Sequence, residues 1–309
     1  MTLRLKPWQV ATAVVVLSIG IIAALRAYRA SHDFTDQLLF DCLPDDSATV
    51  RLFLNMADLR SSGILGVLKS STVAQDPEYK SFVGDSGFDY MTDMDAVAAN
   101  FAHGDVYMTI RGRFQWTKLS AYAKKQGGSC INTICAMPAT QPNRFISFFP
   151  LRNDVLALAV SKDERGVVSI NLPRPGVSHP IPSGTAWIAS PGAMFKDLAW
   201  TPAGAQFLTS SLEKSQETLF RIAAEPPGAS LRMEATFPTP VAATETADTF
   251  KQTTELLGKM LNRDRIKANP SDLSGLLVAG TFTNEGTLVR GIWPLDRKFL
   301  QSFLGGQIP

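Results

Sequence analysis

Gly84-Asp85-Ser86-Gly87 carries the letters of the serine loop in trypsin-like proteases. Serine chemistry needs a histidine base within hydrogen-bond reach and a carboxylate behind it, and a triad is recognised by that geometry rather than by four letters. Of the histidines His32, His103 and His179, only His32 precedes Ser86, and Phe88 stands where the protease loop has a second glycine. A surface turn is the stronger reading of Ser86. Asp85, Asp89, Asp93 and Asp95 follow one another closely and raise calcium binding as an alternative. No register among them supplies the oxygen ligands, turn glycine and closing glutamate of an EF-hand loop. Capping and solvation of the segment entering a strand near Asp95 explain these aspartates better. His103 reads as turn chemistry and His179 sits among prolines.

Cys130 and Cys135 bracket the turn-rich stretch GGSCINTICAMP, close enough for their sulfurs to meet. An oxidising compartment would preserve that bridge, and two reduced thiols are the alternative. Two cysteines without a neighbouring histidine cannot complete a four-ligand zinc site, and Cys42 is left over. The glycines are dispersed, with no phosphate-cradling loop. The sequence therefore assigns no catalytic residue, no metal and no cofactor. Thirty basic and 28 acidic residues give a net charge of +2. Lys124-Lys125 and Arg263-Asp264-Arg265 are too short to form a basic face, which argues against a nucleic-acid partner.

The elements that must position these residues begin with an uncharged run, WQVATAVVVLSIGIIAAL, from Trp8 through Leu17 and Gly20 to Leu25. As a helix it would measure about 27 Å, close to the hydrocarbon thickness of a bilayer. Charge follows directly at Arg26 and Arg29 with no small-residue cleavage site, so an uncleaved signal anchor is favoured over a signal peptide. Flanking charges nearly cancel. The short leading tail places the N-terminus in the cytoplasm and the bulk in the periplasm of a bacterial cytoplasmic membrane, with lipid as one partner through this helix.

The remainder reads as α+β. TVRLFLN is a strand, and a helical pattern at Leu59, Ile64, Leu65 and Leu68 follows it. Two strands meet at His103-Gly104-Asp105, then Trp116, Leu119, Tyr122 and Ala123 mark one face of a helix stopped by Gly127-Gly128. RFISFFP and VLALAV form another hairpin, and Ser161 to Glu164 has capping-box spacing for a helix. Pro173, Pro175, Pro180 and Pro182 oppose regular structure. Beyond them come TAWIAS, a helix starting at Pro191, TLFRIAAE and SLRMEATF about Pro226-Pro227-Gly228, and a helix with Ala247, Phe250, Leu257 and Leu261 on one face. GLLVAGTF, TLVRGIW and a closing helix from Arg297 to Phe303 complete the chain.

The sequence thus predicts two similar modules, each β-α, ββ-α, ββ-α, after one N-terminal transmembrane helix. The boundaries are 1–30 for tail and anchor, 31–46 for a polar connector, 47–172 and 185–309 for the modules, and 173–184 for the proline-rich linker. Arg111-Gly112 with Phe114, and Arg290-Gly291 with Trp293, are read as structural motifs in which glycine relaxes a strand exit and the aromatic roofs the sheet where a helix begins.

Gly87, Phe88 and Asp89, leading to Asp93 and Asp95, together with Arg111, Gly112 and Phe114, carry a resemblance. The segment resembles uncharacterised bacterial proteins with one membrane span and an extracytoplasmic domain of unknown function. The resemblance covers about a third of the chain, implies location and architecture, and brings no catalytic residues. Two functions fit the sequence: a tethered, non-catalytic module that binds a protein or serves as an accessory subunit, and an extracytoplasmic hydrolase whose site assembles only in the fold.

Overall fold

The computed structural model describes residues 34–44, 49–62, 65, 76–173, 181–196, 206–225, 228–265, 267–296 and 298–299. The chain divides into residues 1–35 and 36–309, and the second unit carries every element described below. It opens with helix α1 (Asp36–Asp41), strand β1 (Val50–Asn55) and helices α2 (Met56–Ser61), α3 (Pro77–Ser86) and α4 (Tyr90–Asp93). Strands β2 (Met94–Ala102) and β3 (Asp105–Gly112) precede helix α5 (Trp116–Lys125). Next come β4 (Ser129–Ile131), β5 (Ile134–Pro138), β6 (Phe145–Arg152), β7 (Val155–Ser161) and a 3-10 turn at Gly166–Ser169. Strand β8 (Ala186–Pro191) runs into a second 3-10 turn, Gly192–Phe195, followed by α6 (Gln206–Leu212), β9 (Glu217–Glu225) and β10 (Gly228–Thr236). Helices α7 (Pro240–Arg263) and α8 (Leu273–Ala279) lead to β11 (Thr281–Glu285) and β12 (Leu288–Leu295).

Local chemistry accounts for many of these boundaries. The side chain of Asn55 accepts from Asp58 N at the start of α2. Asp76 caps α3 ahead of Pro77, and Thr239 caps α7 ahead of Pro240, each proline standing where a missing N–H costs nothing. His103 (φ 51°) and Gly104 (φ 83°) take the two left-handed positions of the β2–β3 turn, the backbone that matches strand twist in a two-residue hairpin. Gly128 N donates to Ala123 O at 2.9 Å and closes α5, as the paired glycines predict.

All twelve strands form one antiparallel sheet in the order β11-β12-β10-β9-β8-β1-β2-β3-β7-β6-β5-β4. This corrects the expectation of two modules. Strand β1 pairs with β2 on one side and with β8 on the other, Phe53 lying between Ala98 and Trp187, so the ladder runs unbroken from the strands before the proline-rich segment to those after it.

One face of the sheet carries most of the helices. Leu119 and Ala123 of α5 pack on Val97, Ile110, Phe148 and Leu156, while Ala243, Ala247 and Phe250 of α7 pack on Met233, Ala235, Phe282, Val289 and Trp293. On the opposite face α1 buries Leu39 and Phe40, worth roughly 2–3 kcal/mol for each such side chain. Phe40 stacks on Trp187 with ring centroids 5.0 Å apart, and Thr109 Oγ1 donates to Leu39 O at 2.7 Å. Ala98 and Ala157 flank Thr109 in register, and their small side chains leave room for a helix on that face.

The single-pass anchor and the membrane placement built on it are also corrected: among the described residues no helix is long and apolar enough to cross a membrane. The run from Trp8 to Leu25 lies outside the described residues, as do Ile64, Leu68, His179 and most of the closing helix at 297–303. The stretch read as a polar connector contains α1. The cysteine loop is a hairpin, β4–β5. After β7, Ser161 caps no α-helix. Its Oγ donates to Asp163 O at 2.7 Å, and a 3-10 turn begins at Gly166, where a Cβ would lie 2.2 Å from that Oγ.

Candidate functional site

The residues with chemical potential cluster where α3 and α4 meet the strand end at Gly112. Ser86, the last residue of α3, is fully buried. Its Oγ donates to Phe82 O at 2.6 Å and accepts from Phe88 N at 3.2 Å. Gly87 follows in the left-handed conformation that ends a helix, its N–H bonded to Val83 O. A hydroxyl so placed closes a helix.

The four aspartates serve four local purposes. Asp85 pairs with Lys125 at 2.6 Å and ties α3 to α5. Asp89 caps α4 by accepting from Met91 N and also from the Tyr79 hydroxyl, both at 2.8 Å. Burial, then that bond to a carboxylate, raises the Tyr79 pKa. Asp93 accepts from Asp89 N at 3.0 Å and from Arg113 at 3.2 Å. Asp95 lies 3.7 Å from Arg60. Among the described residues no three His, Cys, Asp or Glu side chains gather as metal ligands.

The phrases Gly-Phe-Asp and Arg-Gly-Arg-Phe, far apart in sequence, form one latch. Phe88 stacks on Phe114 with centroids 5.1 Å apart, Arg113 bonds Thr92 O and Asp93, and a Cβ at Gly112 would lie 2.3 Å from Asp93 O. Glycine is required there by close backbone approach. Arg111 turns to the other face and pairs with Asp36 of α1 at 2.9 Å. The second motif is built differently, because Arg290, Gly291 and Trp293 all lie inside β12 rather than at a strand exit. Arg290 pairs with Glu285 across the β11–β12 hairpin at 2.7 Å. Gly291 makes room for the Trp293 ring, which meets Phe282 edge-on at 5.2 Å.

Cys130 and Cys135 face each other across β4–β5 and are joined as a disulfide. Cys42 is buried, its thiol pushed up to about 12 by burial and then by the charge of Asp41. His103 occupies the exposed β2–β3 turn, at the opposite end of β2 from α4. Two cavities stand out among the described residues. One, about 410 Å³, is lined mainly by apolar groups between α8 and the end of β12, with Asp296 its sole ionisable side chain. Asp296 accepts from Lys298 N at 2.7 Å. The other, about 320 Å³, contains Arg51, Glu217 and Glu234. Arg51 pairs with Glu217, and Glu234 with Arg221. Neither cavity contains a serine, cysteine or histidine.

No known protein family matches the sequence, and no curated protein matches it. Solved structures do. Crystal form III of the Treponema protein TP0453 aligns with a TM-score of 0.50 at 10% identity, over 88% of this chain and 98% of that one. Crystal form IV gives 0.49 at 9% identity, over 86% and 96%. The likeness is one of fold.

Proposed function

We propose that this chain works as a non-catalytic binding protein or accessory subunit whose partner is another protein. The observation that carries this reading is apolar surface left open on the helix-bearing face of the sheet, where Phe101 of β2 is 39% exposed and Ile188 of β8 is 37% exposed. Phe101 and Ile188 stand on the same face on either side of β1, and apolar side chains left exposed on one face favour an interaction surface. Surrounding chemistry supports the same reading, since Ser86 and the aspartates are engaged in caps, latches and ion pairs. A hydrolase that used Ser86 as its nucleophile would need that hydroxyl released from Phe82 O.

Affinity isolation of the tagged full-length protein from its native cells tests the reading. The expected result is a protein partner recovered in near-stoichiometric amount, and recovered equally with Ser86→Ala and His103→Gln. A protein isolated alone even after crosslinking would overturn it. So would a His103→Gln variant that keeps its stability and partner yet loses cellular function.

A further inference from the structure

We infer that the cavity between α8 and the end of β12 binds an alkylammonium, a small cation carrying a hydrocarbon tail. The inference is independent of the protein-binding reading and survives its failure. A step in the sheet creates the space. Strand β11 begins at Thr281, opposite Ile292, while β12 runs on to Leu295, so the last residues of β12 extend past it. Helix α8 and the loop before it line the cavity that remains beside them, about 410 Å³ in volume, within the roughly 300–1,000 Å³ of small-molecule pockets. Its wall is held in place. A Cβ at Gly275 would lie 2.0 Å from Asn269 O, so α8 is pressed against its own loop. Leu276 packs on the buried cluster Ala229, Leu295 and Phe299.

Three observations choose the ligand. First, the side chains around the cavity other than Asp296 are apolar, and Leu276, Val278, Pro294 and Leu295 supply hydrocarbon for a tail. Second, donors are scarce at the wall. Pro270 and Pro294 have no N–H, and Gly275 N and Leu276 N already donate to Asp272, at 3.1 and 3.2 Å. An anionic or purely accepting head group would lose its hydrogen bonds with water and find few in return. Third, Asp296 has bonding capacity left. It is half-buried, and its Oδ1 accepts from Lys298 N at 2.7 Å and from Ser271 Oγ at 3.4 Å, the serine reaching over from the α8 loop. Among the described residues no lysine or arginine side chain pairs with it, and its Oδ2 accepts nothing. Asp272, next to Ser271, is spent on capping α8. A half-buried carboxylate beside apolar walls is completed by a cation that donates, and an ammonium supplies both the charge and the hydrogen.

Ligand-observed NMR titration of the full-length protein tests the site, with butylammonium, hexylammonium, hexanol and hexanoate as probes. Hexylammonium is expected to bind about tenfold more tightly than butylammonium, the factor for burying two further methylenes. Hexanol and hexanoate should each bind at least about tenfold more weakly than hexylammonium, because neither gives Asp296 a charged donor. Asp296→Asn should weaken hexylammonium binding by about tenfold or more, and Ala279→Phe, which fills the cavity, should abolish it. Glu164→Gln, exposed beyond β7, should change nothing. The four probes compared on the native chain decide the matter even where a substitution impairs folding. Absence of hexylammonium binding, equal binding of hexanoate, indifference to chain length, or undiminished binding by a folded Asp296→Asn variant overturns the site.

Discussion

Ser86 and Cys42 show how environment decides what a reactive side chain does. The Ser86 hydroxyl is held between Phe82 O and Phe88 N, and burial keeps the Cys42 thiol protonated. The folded-state thiol pKa lies above its unfolded value, so its contribution to stability is complete below the ordinary thiol range. That contribution is lost as pH rises toward about 12, because the unfolded chain ionises first. Urea midpoints measured from pH 7 upward should fall more steeply for the native chain than for Cys42→Ala, and parallel curves would contradict this. The roles of Asp85, Asp89 and Ser86 were only half legible in sequence. Asp89 ahead of a short helix reads as a cap, but the serine's burial depends on packing that no four-letter motif contains.

At the scale of elements, a latch joins α4 to the end of β3 by close backbone approach at Gly112. Gly112→Ala would press a methyl group into Asp93 O, and relieving such overpacking typically costs about 1–3 kcal/mol. Denaturant melts should show that loss, while Gly84→Ala, with nothing within 4 Å, should show almost none. Hairpins with strong turn chemistry were readable in advance: His103-Gly104 marks its own turn because both residues adopt positive φ. The β4–β5 hairpin was not, since β4 has only three residues and too few for an alternating pattern. Helix α1 is six residues long, and its order comes from Phe40 and Trp187 stacking across about half of the sequence. The second Arg-Gly motif misled for a related reason. Gly291 serves the Trp293 ring within a strand, a tertiary need invisible in the local sequence.

For the whole molecule, the decisive contact is β1 with β8, which makes one sheet of twelve strands. Hairpins announce themselves through short loops, but nothing local joins Phe53 to Trp187, and Pro173, Pro175, Pro180 and Pro182 read naturally as a boundary. A fragment of residues 47–172 would leave one side of β1 unpaired, an exposed edge of the kind that drives association. Size-exclusion chromatography should find it self-associated, and a stable monomeric fragment would argue that the pairing is dispensable. The larger claim is that this sheet and its helices present a surface, and that the serine, aspartates and histidine build the fold. Complementation of a deletion strain tests it most directly. Stably folded Ser86→Ala, Asp93→Asn, Asp95→Asn and His103→Gln variants are predicted to restore function fully, whereas Phe101→Lys, equally abundant, is predicted to fail. Rescue by Phe101→Lys together with failure of any one stable variant among the other four would contradict the account.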